Sequence, residues 1–249
     1  METSELIQHL AGEGRLLAAA AEKAGPDADV PVCPGWQVRD LLRHTGMVHR
    51  WATAFVTEGH TQYHPDSGEP DLDGDELLGW FREGHGRLVA ALTDAPEDLD
   101  CWSFLSAPSP RAFWARRQAH ETTVHRADAE SALGDPGPVA TAPARDGIDE
   151  LLCAFHSRSR SRVRTENPRI LRVRATDTDD VWTVHLSSEP PRTVRTTGNG
   201  EGPADCELSG PVDRLYLTLW NRLPHTAVRI KGDAELARLW REKSPITWS

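Results

Sequence analysis

The sequence predicts a two-domain α+β protein, with a four-helix bundle in the N-terminal half and an α+β domain built on a mostly antiparallel sheet in the C-terminal half. Three observations lead there. Apolar residues recur at three- and four-residue steps between positions 4 and 131, and the pattern then changes to short alternating stretches between 170 and 230. Between these regions runs Leu133-Gly-Asp-Pro-Gly-Pro-Val-Ala-Thr-Ala-Pro-Ala144, which carries three prolines and two glycines, as a linker does. Charge divides at the same place. Residues 1–143 hold 11 Lys+Arg against 23 Asp+Glu, a net −12, and residues 144–249 hold 17 against 15, a net +2. The expected boundaries are a bundle over 1–132, a linker over 133–145 and a C-terminal domain over 146–249.

In chain order, the first helix spans about Ser4 to Ala24, with Leu6, Ile7, Leu10, Leu17 and Ala21 near helical spacing and Gly25-Pro26 as its stop. The second follows Trp36 and carries Val38, Leu41, Leu42, Val48, Ala52, Phe55 and Val56. The third runs from about Asp73 to Thr93, with Asp73 as N-cap and Glu76 at the reciprocal capping position. The fourth begins at Ser109-Pro110, a cap followed by a first-turn proline, and ends near Ser131. Four helices of similar length, each with one stripe to bury, make a bundle. In the second half a helix is expected at Asp146–Ser159. Strands follow at Ile170–Ala175, Val181–Leu186, Thr193–Thr197 and Cys206–Leu208, then a helix at Val212–Asn221, a strand at Ala227–Ile230 and a helix at Ala234–Lys243.

Composition narrows the function classes. The 249 residues are 38% hydrophobic and 27% charged, as in a globular chain, with a net charge of −10. A general nucleic-acid binder needs basic surface to displace counterions from phosphates, so no nucleic-acid partner is expected. Seven arginines between Arg158 and Arg174 alternate with serine without interleaved aromatics, which fits a solvated helix end better than a base-stacking surface. No apolar run reaches the length of a membrane span, and the start Met-Glu-Thr-Ser-Glu lacks the basic region of a secretory signal. The expectation is a cytoplasmic protein, a monomer or small homo-oligomer, with no membrane partner. Cys33, Cys101, Cys153 and Cys206 contain no C-x-x-C pair and read as reduced, mostly buried thiols.

The fourth helix holds the most chemistry. Glu121 and His125 are four apart and rise from one face, on a stripe that also includes Trp114, Gln118 and Asp128, and polar groups on a packing face need partners. One reading is an ion pair on a solvated face. The other is a pair of ligands for a divalent metal, since a carboxylate oxygen and an imidazole nitrogen one turn apart reach the same ion. A third ligand is available in the second helix, where His44 shares a stripe with Leu41, Val48, Trp51 and Phe55; His49 competes for the role, and His120 less so. Asp40, one turn before His44, and Asp128, one turn past His125, are placed to accept the proton of the ring nitrogen away from the metal.

Two segments, Pro34-Gly-Trp-Gln-Val-Arg-Asp-Leu-Leu-Arg-His44 and His120-Glu-Thr-Thr-Val-His-Arg-Ala-Asp-Ala-Glu130, resemble the mycothiol-dependent maleylpyruvate isomerase family, whose N-terminal half is a DinB-like four-helix bundle. Leu215-Tyr-Leu-Thr-Leu-Trp-Asn-Arg222, Lys231-Gly-Asp233 and Thr247-Trp-Ser249 resemble that family's second domain, which is similar to sterol carrier protein folds. The resemblance implies a zinc ion held by one histidine of the second helix and the Glu and His of the later one, here His44, Glu121 and His125, with mycothiol as co-substrate.

Three protein ligands leave a coordination position open, as in catalytic zinc sites, and a thiol entering it loses its proton. A thiolate that adds to the cis double bond of a maleylpyruvate-like substrate, allows rotation and is then eliminated gives isomerisation; one that attacks and stays gives S-transfer. The sequence leaves both open, and with them hydrolysis by metal-bound hydroxide, a metal-free small-molecule binding module, and the choice among zinc, iron and nickel. Arg222 is the candidate catalytic cation, a bidentate clamp for a substrate carboxylate, against the alternative of an arginine snorkelling at a helix end. Trp36 is a candidate pocket wall, or else a core tryptophan.

Overall fold

Gly25, with φ +83°, ends the first helix where its left-handed-region backbone removes the chain from helical geometry. That helix, α1, spans Thr3–Ala24, followed by α2 at Val38–Glu58, α3 at Gly74–Asp94 and α4 at Pro110–Ser131. In this computed structural model, residues 1–198, 200 and 202–246 are described, so the Thr247-Trp-Ser249 motif lies outside the described residues. Each cap has an identifiable donor or acceptor. The Gln37 and Asp40 side chains close a reciprocal capping box at the start of α2, the Asp73 carboxylate accepts from Gly74 N–H before α3, and Ser109 Oγ accepts the Ala112 N–H before α4. Leu17, Val38, Leu41, Leu77 and Phe81 form the centre of an apolar cluster joining the first three helices to Ala129 of α4.

α4 departs from the amphipathic pattern. Every residue from Arg117 to Ala129 is buried, including Arg117, Gln118, His120, Glu121, His125, Arg126 and Asp128. Polar groups removed from water require partners inside the fold, and the neighbouring helices supply them. His9 Nε2 of α1 lies 2.9 Å from Thr123 Oγ1, Glu13 Oε2 lies 2.7 Å from Arg126 Nε, and His49 Nε2 of α2 lies 2.9 Å from Thr122 Oγ1. Two neighbouring helices thus make directed bonds to α4 rather than generic apolar contacts.

The chain divides into two units, Met1–Gly137 and Pro138–Ser249. In the second, α5 (Thr141–Asp149) runs into a π-helical turn at Glu150–Phe155. The helix therefore starts five residues before the expected Asp146 and ends before Ser159. Proline misleads here. Pro143 sits in the first turn of α5, where N–H groups have no intrahelical partner, so the residue that reads as linker is tolerated inside the helix.

Strands β1 (Arg169–Ala175), β2 (Asp180–Leu186), β3 (Arg192–Thr197), β4 (Cys206–Gly210) and β5 (Arg229–Gly232) form one sheet in the order β3-β2-β1-β4-β5. Only β1 and β4 run parallel, with Val173 opposite Leu208; every other neighbour is antiparallel, as in the Val173–Trp182 pair of β1 and β2. Helices α6 (Val212–Leu219) and α7 (Ala234–Lys243) flank β5 in sequence. β5 begins two residues later than expected, because His225–Ala227 forms a 3-10 turn first.

The arginines of the 158–174 stretch that lie on β1 have acidic partners. Arg169 contacts Asp205 at 3.0 Å and Asp233 at 2.6 Å, and Arg174 contacts Glu207 at 3.2 Å. Of the four cysteines, Cys101 and Cys206 are buried, Cys33 is half-buried and Cys153 is exposed, so Cys153 departs from the expected burial.

Candidate metal centre

The Nε2 atoms of two histidines from different helices converge on one carboxylate oxygen. On α4 the four-residue spacing brings His125 Nε2 to 3.0 Å from Glu121 Oε1. From α2, His44 Nε2 lies 3.9 Å from the same oxygen. One potential ligand atom from each of His44, Glu121 and His125 lies within 4.8 Å of the others, and among the described residues no other His, Cys, Asp or Glu group of three is so arranged. The two imidazole rings meet edge to face, 5.3 Å apart at 80°.

Each atom facing away from that focus has its own contact. His125 Nδ1 bonds Asp128 Oδ2 at 2.8 Å, and the Asp128 carboxylate is fully buried. Glu121 Oε2 accepts from Arg117 Nη2 at 3.1 Å, again across one helical turn. Trp36 packs edge-on against His44, with centroids 5.2 Å apart, held by a turn in which its own N–H donates to the Cys33 carbonyl and its carbonyl accepts from Val30.

The electrostatics follow from burial and pairing. Burial alone raises the Glu121 carboxyl, but the hydrogen bond and charge of His125, with the charges of Arg117 and His44, outweigh it and hold the group well below the usual carboxylate range. For His125 burial disfavours the charged ring, yet hydrogen bonds to Asp128 and Glu121 prevail and push it up to about 9. His44 goes the other way, down to about 4, through burial and the neighbouring His125 charge.

These residues fit a divalent ion on chemical grounds. Two imidazole nitrogens and one carboxylate oxygen form a borderline donor set suited to zinc and neighbouring metals. Asp128 keeps a proton on His125 Nδ1, which directs the Nε2 lone pair at the focus once its own proton leaves. His44 retains a 17% exposed side chain, so the focus is not sealed.

Asp40 requires a correction. Expected to orient His44, it instead accepts the Gln37 N–H at 2.9 Å and lies 3.6 Å from Arg43 Nη1, because the orphan donor at the start of α2 is the nearer claim on its carboxylate. The carboxylate facing His44 Nδ1 belongs to Glu69, at 3.8 Å. Glu69 lies in a stretch of Gly, Pro and acidic residues with no periodicity, so no pattern in the sequence singles it out. Arg117 was legible in principle, since it stands four residues before Glu121, but an arginine inside a bundle is an unusual expectation.

His49 and His120 are fully buried and lie outside the cluster. Burial and the charge of His85 hold His49 well below its ordinary value, and its Nε2 is engaged by Thr122. Arg222 lies in the second unit just after α6, where its Nη1 donates to the Trp220 carbonyl at 2.9 Å.

Comparison with known proteins bears on both units. Residues 7–130 match the profile of the mycothiol maleylpyruvate isomerase N-terminal domain, and residues 142–239 match that of the C-terminal domain of the same family. Among solved structures, the mycothiol-dependent maleylpyruvate isomerase and a histidine-to-alanine mutant of it have the same fold. The first has a TM-score of 0.61 at 14% identity and the mutant 0.62 at 13%, each covering 93% of both chains. No curated protein matches the sequence. With both domain profiles matched in order along one chain, the protein belongs to the mycothiol-dependent maleylpyruvate isomerase family.

Proposed function

We propose that the protein is a metal-dependent enzyme that uses a low-molecular-weight thiol, mycothiol, to attack an electrophilic small molecule, with cis-trans isomerisation of a maleylpyruvate-like substrate as its reaction. The observation that supports this most is the convergence of His44 Nε2 and His125 Nε2 on Glu121 Oε1 in a chain of this family. His44, Glu121 and His125 would hold the ion, zinc in this reading, with iron or nickel as other divalent candidates for the same donor set. When bound, the ion supplies a Lewis acid with an open position that lowers the pKa of an incoming thiol into the neutral range.

The chain's own residues set the conditions for that chemistry. Asp128 fixes the tautomer and orientation of His125, while Arg117 holds Glu121 Oε2 so that Oε1 stays at the focus. Trp36 gives the site an apolar side chain beside His44. Arg222 is assigned the role of cation for a substrate carboxylate, a role for which a planar guanidinium is suited by its paired donors. No helix among the described residues is long and apolar enough to cross a membrane; a cytoplasmic location is part of this proposal.

The test is a thermal shift with and without zinc. A ligand that binds only the folded state raises Tm, so mycothiol raises it in the zinc-loaded protein and not in the chelated one. Product analysis then separates isomerisation, in which the thiol is returned, from S-transfer, in which it stays in the product. A thiol-independent turnover with zinc would replace the proposal with hydrolysis, and ligand binding that survives His44→Ala would replace it with a metal-free binding module.

A further inference from the structure

Every imidazole that binds a metal through one nitrogen leaves the other facing outward, and the group found there decides the tautomer and the aim of the ring. At His125 that group is Asp128, on the same helix and 2.8 Å away. At His44 the outward Nδ1 faces Glu69 Oε1 at 3.8 Å, while its Nε2 faces Glu121. The two histidines thus share one arrangement, with Nε2 toward Glu121 and Nδ1 toward a separate carboxylate. The difference is that Asp128 is built into a helix and Glu69 is carried by the loop between α2 and α3.

That loop is fastened to its neighbours on both sides of Glu69. Before it, the Trp51 Nε1–H donates to the His64 carbonyl at 2.6 Å, and Asp66 Oδ1 accepts the Gly68 N–H at 2.9 Å. After it, Arg43 donates to the Leu72 carbonyl through Nε at 3.0 Å and Nη2 at 2.8 Å, and Arg39 pairs with Asp73. Arg43 stands next to His44 in sequence, so the arginine that pins the loop and the histidine the loop addresses leave α2 together. The 3.8 Å separation exceeds hydrogen-bond length, so Glu69, whose side chain is 47% exposed, closes it by side-chain rotation when it accepts the Nδ1–H.

We propose that Glu69 is the positioning residue for His44, accepting its Nδ1–H and so directing Nε2 at the metal focus, in the role the sequence suggested for Asp40. The inference rests on the metal-site reading above. Glu69 touches neither thiol nor substrate in this account and acts only through the ring it orients.

Zinc affinity measured by competition with a chromophoric chelator, on the full chain, reads this directly. Loss of such an outer partner weakens metal binding about 10- to 100-fold. Glu69→Ala is expected to fall in that range with the Tm of the metal-free protein unchanged, and Glu69→Gln, whose amide oxygen still accepts the Nδ1–H, to recover most of the affinity. Asp40→Ala is expected to lower Tm through loss of the α2 cap while leaving zinc affinity at the native level. Native affinity in Glu69→Ala, or a larger loss in Asp40→Ala, would overturn the assignment while leaving the metal centre intact. Absence of zinc binding by the native chain would overturn both.

Discussion

His125 Nδ1 and Asp128 Oδ2 are 2.8 Å apart, three residues along α4, and the carboxylate has no exposure to solvent. The three-residue spacing makes this contact local to one turn of α4, so the helix itself brings the two groups together. An Asp128→Ala variant removes the acceptor that favours Nδ1–H. Its zinc affinity is predicted to fall about 10- to 100-fold in the same competition assay.

Arg117 illustrates the energetic side of the site. Its guanidinium and the Glu121 carboxylate form a buried pair at 3.1 Å, and removing one member of such a pair costs up to about 3–5 kcal/mol, here reduced because His125 still compensates Glu121. Arg117→Met is expected to destabilise the metal-free protein by that order in urea unfolding. Saturating zinc is expected to restore part of the loss, since the cation supplies the missing counter-charge beside Glu121. Equal losses with and without zinc would separate Arg117 from the metal site.

Stability at acid pH is predicted to depend on His156, which caps the π-helical turn against Trp240, with ring centroids 4.8 Å apart. Burial, reinforced by the charge of Arg158, lowers it from 6.5 to about 4. The unfolded chain therefore binds this proton more readily than the folded one between those values. At neutral pH the ring is neutral in both states and the group is silent. As pH falls from about 6.5 to about 4, folding loses stability, reaching about 3 kcal/mol for this single group. His156→Gln is expected to flatten that acid limb in melts from pH 7 to pH 4, and an unchanged slope would contradict it.

Gly232 supplies a backbone test. It closes β5 at φ +93°, and a Cβ there would stand 2.3 Å from the Asp205 carbonyl oxygen. Gly232→Ala combines an unfavourable conformation with a clash against backbone that cannot rotate away. A loss of about 1–3 kcal/mol is expected, with the zinc stoichiometry unaffected.

The outline of the fold was legible because it rests on local signals. Ser109-Pro110 marks the start of α4 and Gly25 the end of α1, while alternation in Val181–Leu186 marks β2; each is a matter of one turn or one strand. The start of α5 is not legible in the sequence because proline carries two meanings, a breaker within a helix and a favoured residue in its first turn. At the site, the four-residue spacing placed Glu121 and His125 on one face but left an ion pair open, and the choice of His44 over His49 came from the family resemblance rather than from the stripe. The contact between His44 and Glu69 joins a helix to an aperiodic loop 25 residues on, and spacing holds no information about such a contact. Asp40 stood at the right helical interval for His44, but the same interval serves a capping box, and the cap prevailed.

A metal centre at His44, Glu121 and His125 requires all three residues to hold one ion. Elemental analysis of the purified protein and of folded His44→Ala and His125→Ala variants tests it most directly. About one zinc per native chain is expected, with a large loss of bound metal in either variant, because each histidine would supply one of three ligands. A native chain that carries no metal and takes up none on adding zinc, or variants that keep the full equivalent, would contradict it.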